Sequence, residues 1–220
     1  MSRTAVPLLA AILLAGCTGG HRLGVPRTLE PGDAAQHLSI DARKSVYEYG
    51  CDGGPPDCGV EETVIVTPSW AMRIGMADGV EVGVAAGFDT SLAVDAKLQL
   101  VRTRYFDAAV APMVGVTLAP RFEYGVERDG PVLTAALPLL LGLNLGPVTL
   151  VPGAAVGVAR VDGDSLLTWA GSLAAFVRVA DGVALGPGVT VVPEFVDETA
   201  AETRVLGGVT VTLGDLPRYR

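Results

Sequence analysis

From about Thr63 to Gly214, apolar and polar residues alternate along the chain with a period of two. Within Asp89–Leu100 the even-numbered positions are apolar except for Thr90, and the odd-numbered positions carry all the charge. This pattern is typical of a strand with two unlike faces, whereas a helix would distribute the same residues differently. We therefore predict nine strands, with a tenth from Ser45–Tyr49 or Phe122–Val126. The nine are Thr63–Met76, Val80–Gly87, Thr90–Arg102, Phe106–Leu118, Pro131–Leu145, Val148–Val161, Ser165–Val179, Val183–Phe195 and Ala201–Gly214.

Short turn sequences separate these segments. Four of them contain Asp-Gly, at Asp78-Gly79, Asp129-Gly130, Asp162-Gly163 and Asp181-Gly182. Asp-Gly supplies the positive φ angles that tight hairpins need. Strands with so little chain between them must be antiparallel neighbours. The predicted fold is all-β, an antiparallel up-and-down meander closed into a barrel of about 8–10 strands.

The two faces of the strands allow two kinds of barrel. A soluble barrel turns its apolar faces inward, whereas an outer-membrane barrel turns them toward lipid and lines its interior with small, polar and charged residues. The polar faces here are rich in Gly, Ala, Ser and Thr and hold few charges, which favours a narrow interior over a solvated exterior. The charges expected to line that interior have both signs, so they can pair. They are Glu81, Asp95, Lys97, Arg178, Glu194 and Arg204.

Composition supports the membrane interpretation and excludes one class of partner. Half of the 220 residues are hydrophobic and 18% are charged, below the roughly 25% usual in soluble domains. The formal net charge is −8, and no basic stripe is present to meet phosphates, so no nucleic-acid partner is expected.

Residues 1–16 have the features of a secretory signal peptide. Arg3 is the only charge, and an apolar stretch runs from Val6 to Ala15. This stretch is shorter than the roughly 20 apolar residues of a membrane-spanning helix. The sequence Leu14-Ala15-Gly16-Cys17 resembles the lipobox of bacterial lipoproteins. The resemblance implies that Cys17 is lipidated and becomes the first mature residue, and Thr18 in place of Asp implies the outer membrane. The alternative is an ordinary signal peptide with a chance cysteine.

The resemblance also implies partners and an N-terminal organisation. The implied partners are membrane lipid, the lipoprotein-processing machinery and the outer-membrane assembly machinery. Residues 17–38 are predicted to be a tether, 39–62 a disulfide-containing loop or hairpin, and 63–220 the barrel domain. Cys51 and Cys58 bracket a turn-rich loop, and in an oxidising compartment a disulfide is expected between them. Zinc is the rival, but the sequence offers no further ligand at a suitable spacing.

Little in the sequence suggests catalysis. His21 and His37 both fall in the predicted tether, so we expect a barrel without histidine, and thus without the usual base or nucleophile activator. We predict no catalytic residues, no metal and no cofactor. Residues 63–214 resemble small bacterial outer-membrane β-barrel proteins. This resemblance implies a lipid-anchored outer-membrane protein with a structural or narrow-pore role. The alternative is a soluble periplasmic lipoprotein barrel that binds a hydrophobic ligand.

Overall fold

The computed structural model describes residues 24–49, 59–88, 90–118, 131–161, 164–195 and 201–217. Its described residues form strands and connections without helices, so no helix there is long and apolar enough to span a bilayer. The strands are β1 (Ala34–Tyr49), β2 (Gly59–Ala77), β3 (Val80–Gly87), β4 (Ser91–Arg102), β5 (Phe106–Val110), β6 (Met113–Thr117), β7 (Val132–Leu145), β8 (Val148–Val161), β9 (Asp164–Ala180), β10 (Val183–Phe195) and β11 (Ala201–Gly214).

The strands form a closed antiparallel barrel. Apart from β5 and β6, each strand pairs with its neighbour in sequence, and β1 also pairs with β11, which joins the two ends of the sheet. Both β5 and β6 pair with β4 on one side and β7 on the other, so they are two halves of one strand. The result is a ten-stranded barrel, and the predicted fold class is confirmed.

Two prolines account for the break between β5 and β6. The carbonyl of Pro112 accepts a hydrogen bond from the Ala96 amide, and the carbonyl of Pro138 accepts one from the Ala111 amide. In a regular antiparallel pair each residue would return the bond, but proline has no N–H to donate. Two neighbouring ladder bonds are therefore missing, although the pairing register is the same on both sides of the break.

The two ends of the barrel differ. Tight turns join β2 to β3, β7 to β8 and β9 to β10, with Gly79, Gly146 and Gly182 at φ of 76°, 73° and 72°. The start of β1 and the end of β11 lie at this same end, because Ala35 pairs with Gly214. We call it the short-turn end. The connections from β1 to β2, β6 to β7 and β10 to β11 lie at the opposite end.

The barrel begins earlier than the sequence predicted. Strand β1 starts at Ala34, inside the predicted tether, and pairs with β2 from Ala34–Ile74 to Tyr49–Gly59. The tether interpretation of residues 34–38 and the separate unit at 39–62 do not match these strands. The cause is that β1 turns polar side chains inward, including Ser39 and Asp41, and so resembles a polar linker. The alternative tenth strand, Phe122–Val126, lies outside the described residues.

The apolar faces point away from the barrel interior. Large apolar side chains such as Ile40, Leu137 and Val156 are 58%, 48% and 58% exposed. The interior instead holds mainly small residues, threonines and charged groups, together with a few larger apolar side chains such as Leu140 and Phe176. This arrangement contradicts the alternative in which the leucine-rich faces line a ligand cavity.

Candidate functional site

The lumen is plugged at the short-turn end by the chain's own N-terminal segment. Residues 24–33 precede β1, and Arg27, Thr28 and Leu29 are buried almost completely. We call residues 24–33 the plug. Its far end is bonded to β2, because the Gly32 amide donates to the Gly75 carbonyl (2.9 Å) and the Gly75 amide donates to the Asp33 carbonyl (3.0 Å).

An enclosed ion pair fixes the plug to β5. The Arg27 Nη2 atom lies 2.8 Å from Asp107 Oδ1, and Nε lies 3.2 Å from both carboxylate oxygens. Arg27 also donates to the Thr103 carbonyl, and Asp107 accepts from Asn144 Nδ2 at 2.7 Å. Both charges are therefore paired and hydrogen-bonded, the condition under which buried ions are tolerated.

A second ionic cluster lies on the inner faces of β2, β3 and β4. The Arg73 guanidinium bonds to the carboxylates of Glu81 and Asp95, and Lys97 Nζ lies 2.9 Å from Glu81 Oε1. The strand register brings them together, because Glu81 pairs with Lys97 and Gly83 pairs with both Arg73 and Asp95. A Cβ atom at Gly83 would lie 2.6 Å from Asp95 Oδ2, so glycine leaves room for the pair.

The same cluster holds the plug by its backbone. Lys97 Nζ donates to the Val25 carbonyl at 3.0 Å, and the Leu29 amide donates to Glu81 Oε2 at 3.1 Å. The Thr28 hydroxyl donates to Gln99 Oε1 at 2.9 Å. The plug is thus bound both to the cluster and to the Asp107 carboxylate.

Two glycines in the barrel wall give the plug its space. A Cβ atom at Gly75 would overlap the Glu30 carbonyl, and one at Gly142 would lie 3.0 Å from Pro26 Cγ. The wall therefore fits the plug closely at two separate points.

Apolar side chains from the opposite strands occupy part of the remaining lumen. One buried group packs against Val25 of the plug, and a second lies farther from the short-turn end. The first contains Ala111, Leu140, Val151, Ala174 and Phe176; the second contains Ala155, Ala170, Val192 and Leu206.

The sequence-predicted charges are distributed unevenly. Glu81, Asp95 and Lys97 are buried in the lumen. Arg178 is exposed at the short-turn end, where its guanidinium donates to the Pro217 carbonyl at 2.8 Å. Glu194 belongs to β10 and Arg204 to β11, but their side chains are outside the described part of the structure. Cys17, Cys51 and Cys58 lie wholly outside the described residues.

Four lumen charges were missed by sequence reasoning: Arg27, Asp41, Arg73 and Asp107. Arg73 and Asp107 lie within predicted strands. A charge on the polar face of a strand whose other face is apolar was the signal that could have placed them in the lumen. Arg27 gave no such signal, because its partner Asp107 is 80 residues away.

The expectation of a histidine-free barrel was wrong. His37 lies on β1 with its side chain buried in the lumen, and its Nδ1 atom lies 3.0 Å from Thr212 Oγ1. An activated hydroxyl nucleophile normally has a base that a third group orients. Within the described ranges no carboxylate is bonded to this imidazole, so the pair lacks that third group. No group of three or more His, Cys, Asp or Glu side chains there could hold a metal.

Comparison with solved structures identifies the class of fold. The translocator domain of the autotransporter NalP from Neisseria meningitidis has a TM-score of 0.54 at 11% identity, covering 97% of this chain and 99% of that one. A bacterial polysaccharide outer-membrane secretin has a TM-score of 0.51 at 7% identity, covering 83% and 98%. The outer-membrane protease OmpT from Escherichia coli has a TM-score of 0.45 at 7% identity, covering 86% and 100%.

The chain therefore has the fold of outer-membrane β-barrel proteins. No protein family matches its sequence, and no curated protein matches it either.

Proposed function

We propose that this chain is a lipid-anchored outer-membrane β-barrel with a closed lumen and a non-enzymatic, structural role in the cell envelope. The observation that carries the proposal is the inside-out distribution of side chains on a closed barrel. Apolar residues cover the outside, and paired charges fill the inside. Lipid solvates such an exterior, and barrel closure leaves no unpaired sheet edge in the bilayer.

The ends of the barrel give an orientation. Outer-membrane barrels have short turns on the periplasmic side and longer loops outside. The short-turn end, with the plug, would then face the periplasm, and the connection containing Cys51 and Cys58 would face outward, where a disulfide is stable. Cys17 precedes Gly24 by seven residues, a reach of about 23–25 Å when extended. An acylated Cys17 would therefore insert into the periplasmic leaflet.

A closed lumen favours the structural role over the narrow-pore variant. The plug occupies the short-turn end, and two groups of apolar side chains occupy the lumen beside it and beyond it. Barrels of this size generally have interiors packed with side chains. In planar bilayers the whole protein is expected to give no stepwise conductance. Steady single-channel steps would overturn the closed-lumen proposal and support the pore.

The test of location replaces Cys17 by Ser and places an ordinary cleavable signal peptide in front. The barrel is expected to stay in the outer-membrane fraction and to change its gel mobility on heating, because apolar strands hold it in lipid without the anchor. A folded, soluble periplasmic monomer would overturn the membrane proposal.

Lipidation is tested separately, by incorporation of a labelled fatty acid. The unaltered chain is expected to take up the label and the Cys17→Ser chain to lack it. If the wild-type chain takes up no label but still changes its gel mobility on heating, the lipid anchor is refuted and the membrane barrel stands.

A further inference from the structure

A cavity remains at the short-turn end, between the plug and residues 215–217, which follow β11 and which we call the tail. Its volume is about 260 Å3. Val25 of the plug, Phe176 of β9, Ala184 of β10 and Leu216 of the tail form much of its apolar wall. The Phe176 ring is held against the backbone at Gly186, where no Cβ atom would fit. The wall is therefore a preformed surface.

Two buried polar side chains present unused hydrogen-bonding capacity to this cavity. The Nδ1 atom of His37 is bonded to Thr212, and its Nε2 atom has no bonded partner among the described residues. The Lys97 ammonium has three hydrogens, of which Glu81 and the Val25 carbonyl take two. A mostly apolar pocket with a few converging polar groups in the mouth of a barrel is a common form of ligand site.

The charges around the cavity offset one another. Lys97 is paired with Glu81, and Arg27 is paired with Asp107. At the open side the lining contains both Arg178 and Asp215. With no excess of either sign, the cavity favours an uncharged ligand over an ion.

The volume sets the size of that ligand. At about 260 Å3 the cavity is smaller than the roughly 300–1,000 Å3 of pockets that hold drug-sized ligands, so its ligand is smaller than these. The acyl chain of a membrane phospholipid exceeds this size.

We propose that this cavity binds a small neutral molecule that has an apolar body and one hydroxyl group. The body packs on Phe176, and the hydroxyl bonds to His37 Nε2 and to the free hydrogen of Lys97. Because Val25 belongs to the plug, the bound molecule contacts plug and wall together and stabilises the docked plug by mass action.

Benzyl alcohol, with its apolar ring and single hydroxyl, is the probe. It is titrated into the full-length protein in detergent micelles, and the chemical shifts of the backbone amides are followed by NMR. A titration of empty micelles measures how much of the probe partitions into the detergent. We expect saturable shifts at Phe176, Ala184 and Thr212, and a nuclear Overhauser effect between the probe ring and the Ala184 methyl group. Toluene, which lacks the hydroxyl, is expected to bind about thirtyfold more weakly, because both hydrogen bonds of the hydroxyl are lost.

A matched pair of variants locates the site. Ala184→Phe fills the cavity and is expected to abolish saturable binding. Ala154→Phe makes the same change on the exposed outer face of β8 and is expected to leave binding unchanged. Should Ala184→Phe fail to fold, the Overhauser contact in the unaltered protein decides the question.

Three results would overturn the proposal. If the chemical shifts do not saturate, or change only at outward-facing residues, the probe partitions into the detergent and does not bind in the cavity. Equal affinity for toluene means that the hydroxyl is not recognised. Tighter binding of benzoate means an anion site. Each of these leaves the membrane proposal intact, because heat-modifiable mobility tests that separately.

Discussion

Arg27 and Asp107 form an almost completely enclosed ion pair in the lumen, with side chains 3% and 0% exposed. Taking both charges out of water costs several kcal/mol per ion, and only good geometry with further hydrogen bonds offsets it. The bonds from Asn144 to Asp107 and from Arg27 to Thr103 supply this. The pair therefore specifies where the plug docks more than it adds net stability.

Removing one partner is expected to release the plug. In Asp107→Ala the guanidinium of Arg27 loses the carboxylate to which it is bonded, and a broken buried pair costs about 3–5 kcal/mol. Because the plug can leave the lumen, the barrel should stay folded while the Arg27–Thr28 bond becomes accessible. The measurement is trypsin cleavage, with the new N-terminus at Thr28 identified by mass spectrometry.

Replacing both partners is the control for this prediction. The double variant Arg27→Met, Asp107→Leu removes both charges and is expected to recover most of the lost free energy of unfolding. Cleavage cannot report on a chain that lacks Arg27, so this comparison uses denaturant unfolding. A double variant less stable than Asp107→Ala would contradict the argument.

At the scale of the element, the plug is a short segment that adopts its position through contacts with several strands. The middle of the plug forms no backbone pairs with the strands of the barrel. The plug fits in the lumen because glycines in the barrel wall leave space for it. Gly75 touches the plug backbone most closely, because the Glu30 carbonyl occupies the place of its missing side chain.

Gly75→Ala is expected to displace the plug. The added methyl group meets a backbone carbonyl, which cannot rotate away as a side chain would, so residues 29–33 must move. Trypsin cleavage after Arg27 should become faster than in the wild type. Gly207→Ala is the matched control, because nothing lies within 4 Å of its added Cβ atom. Equal cleavage of both variants would refute a tight fit at Gly75.

For the whole molecule, the outward apolar surface is the property that determines its surroundings. Its side chains lie on all sides of the barrel, including Leu38 on β1, Leu92 on β4 and Leu173 on β9. A monomeric soluble protein rarely exposes so continuous an apolar area.

Two substitutions on one strand test for lipid at this surface. Leu137 and Leu145 both face outward on β7, the first near the middle and the second beside the turn. Arginine at the bilayer midplane costs about 2–4 kcal/mol and near the interface about 0–1 kcal/mol. Leu137→Arg should therefore reduce the free energy of unfolding in vesicles much more than Leu145→Arg. Equal, small effects would argue against lipid at this face.

The sequence by itself determined the barrel wall. The alternation in segments such as Asp89–Leu100 follows directly from the pleat of a strand, in which successive side chains point to opposite faces. Asp78-Gly79 and Asp181-Gly182 determined two of the tight turns, and the inward position of Glu81, Asp95 and Lys97 follows from counting along β3 and β4. These are local properties, so neighbouring residues contain the information.

Only the tertiary structure decided what fills the lumen. The plug, with Arg27, was predicted to be part of a tether because its partners lie far away in the chain. His37 was assigned to the same tether because the inner face of β1 is polar, which hides the strand. A polar residue is equally compatible with water and with a paired interior, and only the arrangement of the other nine strands distinguishes the two.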